Sequence, residues 1–345
     1  MSTDRCSLDR ADKAVLRLAI GLGLAVLVAY GLALQAPFVV CVMAVLILCN
    51  PGPPMPFLKG AVLSVVLAAL MAAGVLMVPI LENYALAGIA LTGALLYAVF
   101  FSGVRSASRL TTILVMAVTL TPVVGVAEQA LAFAISVTLA VGIGIGVLVS
   151  SVSHTLFPDA PAPAGKAAMP AIPSRESASW TAVRATLVVM PVFVLALTNP
   201  SFYLAAIMKT VALSQQAGST SARSAGRELV GSTLMGAWMA ALVWFGLSLR
   251  PNLWMLMLWM MTAALWTGAR LFGVKATSLP PSFWSNALVT MLILLGPAIE
   301  DSANGKDVFS ASAIRVGLFV GVALYAWATV WALERWHAAL FFKRN

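Results

Sequence analysis

Charge is scarce in this sequence. Asp, Glu, Lys and Arg make up 10% of its 345 residues, where a soluble globular domain carries about 25%. With 61% hydrophobic residues and a mean hydropathy of +0.98, that scarcity excludes a soluble domain and leaves an all-α, polytopic membrane protein. Histidine occurs twice, at His154 and His337. Neither has a carboxylate or cysteine cluster beside it, which argues against a metal site. The three cysteines, Cys6, Cys41 and Cys49, make no disulfide framework, and Cys41 and Cys49 read as small core residues of one apolar segment. Nucleophile elbow, P-loop, HExxH and Asp-rich metal motifs are all missing. The chain is therefore expected to be no enzyme, to hold no cofactor or metal, and to draw on an ion gradient for any pumping.

What is present is a succession of about twelve apolar segments: 14–34, 36–49, 58–81, 84–101, 110–124, 126–149, 181–198, 200–214, 229–249, 252–269, 283–299 and 312–333. The first follows a polar head, Met1 to Lys13, and is long enough for a spanning helix rather than a signal-peptide core. The longest polar stretch, Pro158 to Ser179, is Pro/Ala/Ser-rich and reads as a linker. Placing the N-terminus in the cytoplasm puts Arg5, Arg10, Lys13, Lys59, Arg105, Arg109, Lys166, Arg175, Arg223, Arg227, Arg270, Lys275, Arg335, Lys343 and Arg344 inside. Only Arg250 and Lys306 then fall outside, with Glu82, Glu128, Glu300, Asp301 and Asp307. Both termini are thus expected to be cytoplasmic. The net charge of +9 is topological and calls for an anionic leaflet, not for nucleic acid.

The chain also repeats itself. Phe101-Ser102-Gly103-Val104-Arg105 returns as Trp266-Thr267-Gly268-Ala269-Arg270, and at the same offset Phe38 with Asn50 returns as Tyr203 with Gln215. At a slightly larger offset Pro122 returns as Pro297, and Gly142 with Gly146 as Gly317 with Gly321. This organisation predicts a tail 1–13, a six-helix repeat 14–157, a linker 158–179, a second repeat 180–337 and a tail 338–345. An even number of spans in each repeat predicts an axis along the membrane normal.

The candidate site residues follow from the second span of each repeat. Ala36 to Cys49 and Pro200 to Ser214 are shorter than the roughly 20 residues a straight spanning helix needs. They are followed by Asn50-Pro51-Gly52-Pro53-Pro54 and by Gln215-Gln216-Ala217-Gly218-Ser219. Such paired short segments either frame a binding site, with free backbone groups facing a cavity, or are tilted helices ending in ordinary turns. Lys209 lies in the middle of the second copy, where a lysine costs about 2.5–3.5 kcal/mol to insert. It either meets an anionic substrate or snorkels to the surface along its stem. Arg17 and Arg184 sit one turn inside the first span of each half, as anchors or gating charges. Arg315 lies one turn inside the last span and is a candidate outer gate, or a pair with Asp307 or Glu300. The GxxxG spacings Gly142/Gly146 and Gly317/Gly321 predict close helix packing. The Trp- and Met-loaded run Leu253 to Met261 reads equally as an aromatic-binding wall or as a lipid-facing helix.

The stretch from Tyr203 through Lys209-Thr210 and Gln215-Gln216 to Gly226-Arg227-Glu228-Leu229-Val230-Gly231-Ser232-Thr233-Leu234-Met235-Gly236 resembles the fusaric-acid-resistance and aromatic acid exporter superfamily. Half one looks like the same pattern degraded: Pro37-Phe38, then Asn50 to Pro54 and Lys59-Gly60. The chain looks closest to short bacterial members of uncharacterised function, since it lacks the sizeable cytoplasmic domain that follows each half of the longer exporters. The resemblance implies a bacterial inner-membrane, proton-driven efflux component for aromatic or other amphipathic carboxylic acids, often working with a periplasmic adaptor of the membrane-fusion type. On this reading Lys209, assisted by Asn50, Gln215, Gln216, Thr210 and Tyr203, captures a small organic anion, and rocking of the halves alternates access. Arg227 belongs with Arg17, Arg184 and Arg315 as a gating or anchoring charge. A channel or a non-transporting scaffold are the rivals. Substrate identity, coupling ion and assembly into a homo-oligomer stay open.

Overall fold

In a medium without water, a backbone must satisfy its own hydrogen bonds, and the computed structural model does so with helices. It describes residues 2–49, 58, 62, 65, 66, 69, 74–106, 111–158, 173–219, 222–305 and 307–342, and among these no strand occurs. The helices are α1 (Ser2–Gly31), α2 (Pro37–Leu48), α3 (Val78–Asn83), α4 (Ala85–Ser106), α5 (Thr111–Ala127), α6 (Gln129–Leu156), α7 (Arg175–Thr198), α8 (Pro200–Ser219) and α9 (Ala222–Ala225). A π-helical turn, Gly226–Val230, leads into α10 (Gly231–Leu249), followed by α11 (Leu253–Leu271), α12 (Pro281–Ala303) and α13 (Val308–Phe342). Seven helical stretches are long and apolar enough to cross a membrane, and Pro37–Leu48, Leu114–Ala127 and Phe202–Ser214 are shorter apolar helices. The chain is a multi-pass membrane protein. Each apolar segment read from the sequence coincides with a helix except 58–81, where 11 of the 24 residues lie outside the described ones. Asn50, the Pro51 to Pro54 break, Lys59, Gly60, Arg109, Lys166, Lys306, Lys343 and Arg344 also lie outside them.

Local chemistry sets the helix ends. Ser174 caps α7, its hydroxyl accepting from the Ser177 N–H at 3.2 Å, with Glu176 in the first turn. Asn252 caps α11 through the Met255 N–H at 2.7 Å. Beyond α11, Gly273 takes a φ of 80° that suits glycine, and the Lys275 N–H closes the end on the Ala269 carbonyl at 2.7 Å. Asp307 starts α13 by accepting from the Phe309 N–H at 3.1 Å. Hydrogen bonds from Ser310 and Phe309 hold its carboxyl below the ordinary carboxylate range. Inside the helices, buried hydroxyls of Thr92, Thr119, Thr210 and Thr290 donate to the carbonyl four residues back. Each polar group is thereby satisfied without leaving its helix.

The helices collect into two compact units that differ from the division by sequence similarity. One unit comprises residues 1–68, 137–169 and 235–311; the other comprises 69–136, 170–234 and 312–345. In the first, α1 packs on α2 and α11, α2 on α12, and α11 on α12. In the second, α7 packs on α8 and α4, α8 on α5, and α4 on α5. These are the same pairings with the two sequence halves exchanged.

Small residues set the closest approaches within each unit. A Cβ added at Gly142 or Gly146 would lie 3.2 Å from the Cα of Val40 and of Ala44, so α6 rests directly on the α2 backbone. Gly236 brings α10 onto α12: a Cβ there would meet the Ala287 carbonyl oxygen at 2.6 Å and Thr290 Cβ at 2.5 Å. The packing expectation for Gly317 and Gly321 is corrected. Both are exposed on α13, and a Cβ at either meets nothing within 4 Å among the described residues. Their spacing matches Gly142/Gly146, but no described backbone comes up to that face of the helix.

Gly236→Ala should therefore destabilise the protein by about 1–3 kcal/mol, because a backbone carbonyl cannot step aside. Gly317→Ala should stay within about 0.5 kcal/mol of the parent, or gain slightly from helix propensity. Thermal unfolding of both variants in detergent checks the pair; equal destabilisation would show that α13 is packed on its glycine face.

Candidate functional site

Three cationic side chains stand where an apolar environment makes charge costly, and each solves the problem differently. Lys209 occupies the middle of α8, a helix packed on α7 and α5. It has no exposed surface at all. Its neighbours on the same helix face, Ala206 and Leu213, are buried too. The snorkelling alternative fails here, because a snorkelling ammonium ends at the surface and this one is enclosed by protein. Thr210 is buried, with its hydroxyl committed to the Ala206 carbonyl at 2.7 Å. Ser214 likewise donates to Val211 at 2.7 Å. Tyr203 is half-buried nearly two turns earlier, its ring edge-on to Phe202 with centroids 4.9 Å apart. On α5, which packs against α8, Thr121 has a buried hydroxyl with no partner among the described residues.

The expected interruption after Ser214 does not occur. α8 runs on unbroken through Gln215 and Gln216 to Ser219, so their backbone groups are spent within the helix; their side chains lie outside the described residues. Gln and Ala are good helix formers, and the Gly218 that follows costs only about 1 kcal/mol. The irregularity comes later, as the π turn Gly226–Val230. Turns of this kind are rare and occur frequently at functional sites. There α13 comes close: a Cβ added at Gly226 would lie 3.0 Å from Trp327 Cε2. Arg227 projects from the turn and is exposed.

Arg184 solves the problem by pairing. Its buried guanidinium donates through Nη1 to Glu334 Oε1 of α13 at 3.2 Å. In the same pair of helices, the Tyr325 hydroxyl donates to the Leu187 carbonyl at 2.8 Å. Nothing in the sequence marks Glu334 for this role. It lies one residue past the last apolar segment, beside Arg335, where it reads as an interfacial charge. Its partner is 150 residues away. Arg17, the counterpart of Arg184 in the first half, is also buried, and its Nε donates to the Lys13 carbonyl at 3.3 Å. Arg315 is half-buried on α13.

Arg270 uses aromatic faces instead. Its guanidinium carbon lies 3.9 Å from the Trp266 ring centroid and 5.0 Å from that of Trp284, and Nη1 donates to the Trp266 carbonyl at 2.8 Å. The first-half copy of this motif does the same more loosely, with Arg105 5.9 Å over Phe101. A spacing of four residues stacks an arginine over an aromatic one turn back, which is why both copies share the arrangement. Beside Trp266 lies a half-open cavity of about 210 Å³ lined by Trp238, Met239, Leu242 and Val243 of α10 and by Trp259, Thr262, Ala263 and Trp266 of α11. The Trp/Met run therefore divides. Met257 and Met261 press on Gly23 of α1, Trp259 faces the cavity, and Trp254 and Leu258 are exposed.

Among the described residues no group of three or more His, Cys, Asp or Glu side chains could hold a metal ion. In comparison with known proteins, residues 14–153 match the model of a family described as a protein of unknown function (DUF2955). No curated protein and no solved structure matches the chain.

Breaking the Arg184–Glu334 pair from either side should destabilise the protein, and the Arg184→Ala/Glu334→Ala double-mutant cycle should return a coupling of about 1 kcal/mol. Glu334→Ala should cost more than Arg184→Ala, because it strands a buried guanidinium while the reverse leaves a carboxylate that already reaches solvent. Melting temperatures of the four proteins in one detergent check both statements.

Proposed function

We propose that this chain is an inner-membrane exporter of small organic anions, with aromatic or amphipathic carboxylic acids as the substrate class its sequence resemblance favours. The observation that carries the proposal is Lys209: a cation in mid-helix, enclosed by protein in a membrane chain. Residues of this kind mark substrate and ion pathways by default. A carboxylate arriving at Lys209 would form a charge-assisted hydrogen bond in the protein interior, and its departure restores the starting state.

The proposal includes twelve spans in two six-helix repeats related by an axis along the membrane normal, with both termini cytoplasmic. Two observations support the repeat. The exchange of halves in the helix pairings is what two equivalent repeats would produce. The family match also stops at residue 153, close to the end of the first repeat at 157. Access would then alternate by motion of compact bodies that each hold helices of both repeats. Coupling to a cation gradient calls for a carboxylate, and Glu334, paired with buried Arg184, supplies one. Arg17, Arg227 and Arg315 serve as anchors or gating charges, and Asn50, Gln215 and Gln216 as polar lining. A periplasmic adaptor and self-association belong to the same reading as optional partners.

A charge-assisted hydrogen bond to a carboxylate is worth about 1.5–3 kcal/mol, or about 10- to 150-fold in affinity. Lys209→Ala should weaken export of an aromatic acid by that factor and leave its neutral amide almost unaffected. Lys209→Arg should keep part of the activity, since the charge survives on a different stem. Flux from inverted vesicles with and without a proton gradient checks the mechanism. Gradient-independent flux would make the protein a channel; full export by a Lys209→Ala variant with a raised melting temperature would remove Lys209 from the site.

A further inference from the structure

We infer that the groove between α10 and α11, with Arg270 at its end, is a binding site for one anionic phospholipid. This goes beyond the export reading and does not depend on Lys209, which belongs to the other compact unit.

The head of the site is defined by two unspent groups. Arg270 gives Nη1 to a backbone carbonyl, and no carboxylate pairs with its guanidinium among the described residues, which leaves its remaining N–H groups for an anion. Trp284, whose ring lies 5.0 Å from that guanidinium, is buried to 4% exposure, and its indole N–H has no acceptor among the described residues. A buried donor without a partner is costly, and an incoming acceptor relieves it. A phosphate oxygen suits both donors. The indole packing is fixed besides: Trp266 meets Trp284 edge-on at 5.4 Å, and Phe283 meets it edge-on at 5.1 Å. The arginine is thus held ready instead of ranging freely.

The tail of the site distinguishes a lipid from a small soluble acid. The cavity does not surround Arg270; it extends away from it along α11, past Trp266, Ala263 and Thr262 to Trp259. From Arg270 to Trp259 the helix rises about 16 Å, roughly half the thickness of a hydrocarbon core. Its mouth is flanked by the exposed side chains Trp238, Leu242 and Leu258, an apolar rim that suits acyl chains. The one hydroxyl in the lining, that of Thr262, is committed to the Leu258 carbonyl at 2.8 Å. An apolar cavity of this kind stays dry and takes up hydrocarbon. Charge at one end and an apolar groove running inward from it match a phosphate head with its chain. The charge bias of the sequence predicts that this end faces the cytoplasmic, anionic leaflet.

The test uses the full chain reconstituted in phosphatidylcholine vesicles. Phosphatidylglycerol or phosphatidylcholine with dibrominated acyl chains is added at equal mole fractions, and quenching of intrinsic tryptophan fluorescence is read. Wild-type protein should prefer the brominated phosphatidylglycerol by about tenfold. Arg270→Gln should bring the ratio to about one, and Arg270→Lys should retain part of it because the charge remains without the planar fork. Ala263→Leu, which fills the groove far from the charge, should also remove the preference, and it decides the matter alone should Arg270→Gln fail to fold. Equal quenching of wild type by both lipids, a preference that survives Ala263→Leu, or displacement of the phosphatidylglycerol by soluble 2-naphthoate would each overturn the inference.

Discussion

A helix surrounded by hydrocarbon gains nothing by hiding leucine, since lipid is as apolar as a protein core. What holds such helices together is contact between surfaces shaped to fit, and the fit is closest where side chains are smallest. Gly142 and Gly146 let α6 touch the α2 backbone, and Gly236 brings α10 onto a carbonyl oxygen of α12. The helix contacts of their own compact unit depend on these approaches. They leave no room for water, so any polar group in the interior must be paired, hydrogen-bonded within its helix or given a ligand.

The cations of these helices show how differently that demand can be met. Arg184 takes a carboxylate from another helix, and Arg17 turns back to a carbonyl of its own. Arg270 lies on two indoles that accept its charge without neutralising it, which leaves the cation able to attract an anion. Lys209 is the most deeply placed of them. The Arg184–Glu334 pair joins two helices, whereas Lys209 is enclosed by protein and Arg270 is stacked on indoles. The exporter and lipid-site readings both begin from that difference.

The compact units cut across the two halves of the sequence, and this changes how variants must be interpreted. α1 has its partners in α2 and α11, and α7 in α8 and α4. A substitution in one half is therefore felt directly by helices of the other. The pairings of four helices in each unit recur with the halves exchanged. Counterparts need not be equally packed: Gly142 is pressed against a backbone, whereas Gly317 is open.

Much of the architecture is legible in the chain. Apolar segments become helices almost one for one, because in a membrane the backbone has no alternative that satisfies its hydrogen bonds. The stacking of Arg270 on Trp266 is also implicit, since a spacing of four residues joins neighbouring turns. What the sequence does not show is how helices choose partners. Glu334 looks like an interfacial charge until α13 brings it to Arg184. The Trp/Met run divides into packing, cavity wall and exposed face only where α1 and α10 cover two of its sides. Gln215 and Gln216 read as a break, but propensity carries α8 through them, and the irregular turn falls at Gly226. Helix formation is local, and sequence by itself determined it. Burial and charge pairing depend on surfaces far apart in the chain, and only the tertiary structure decided them.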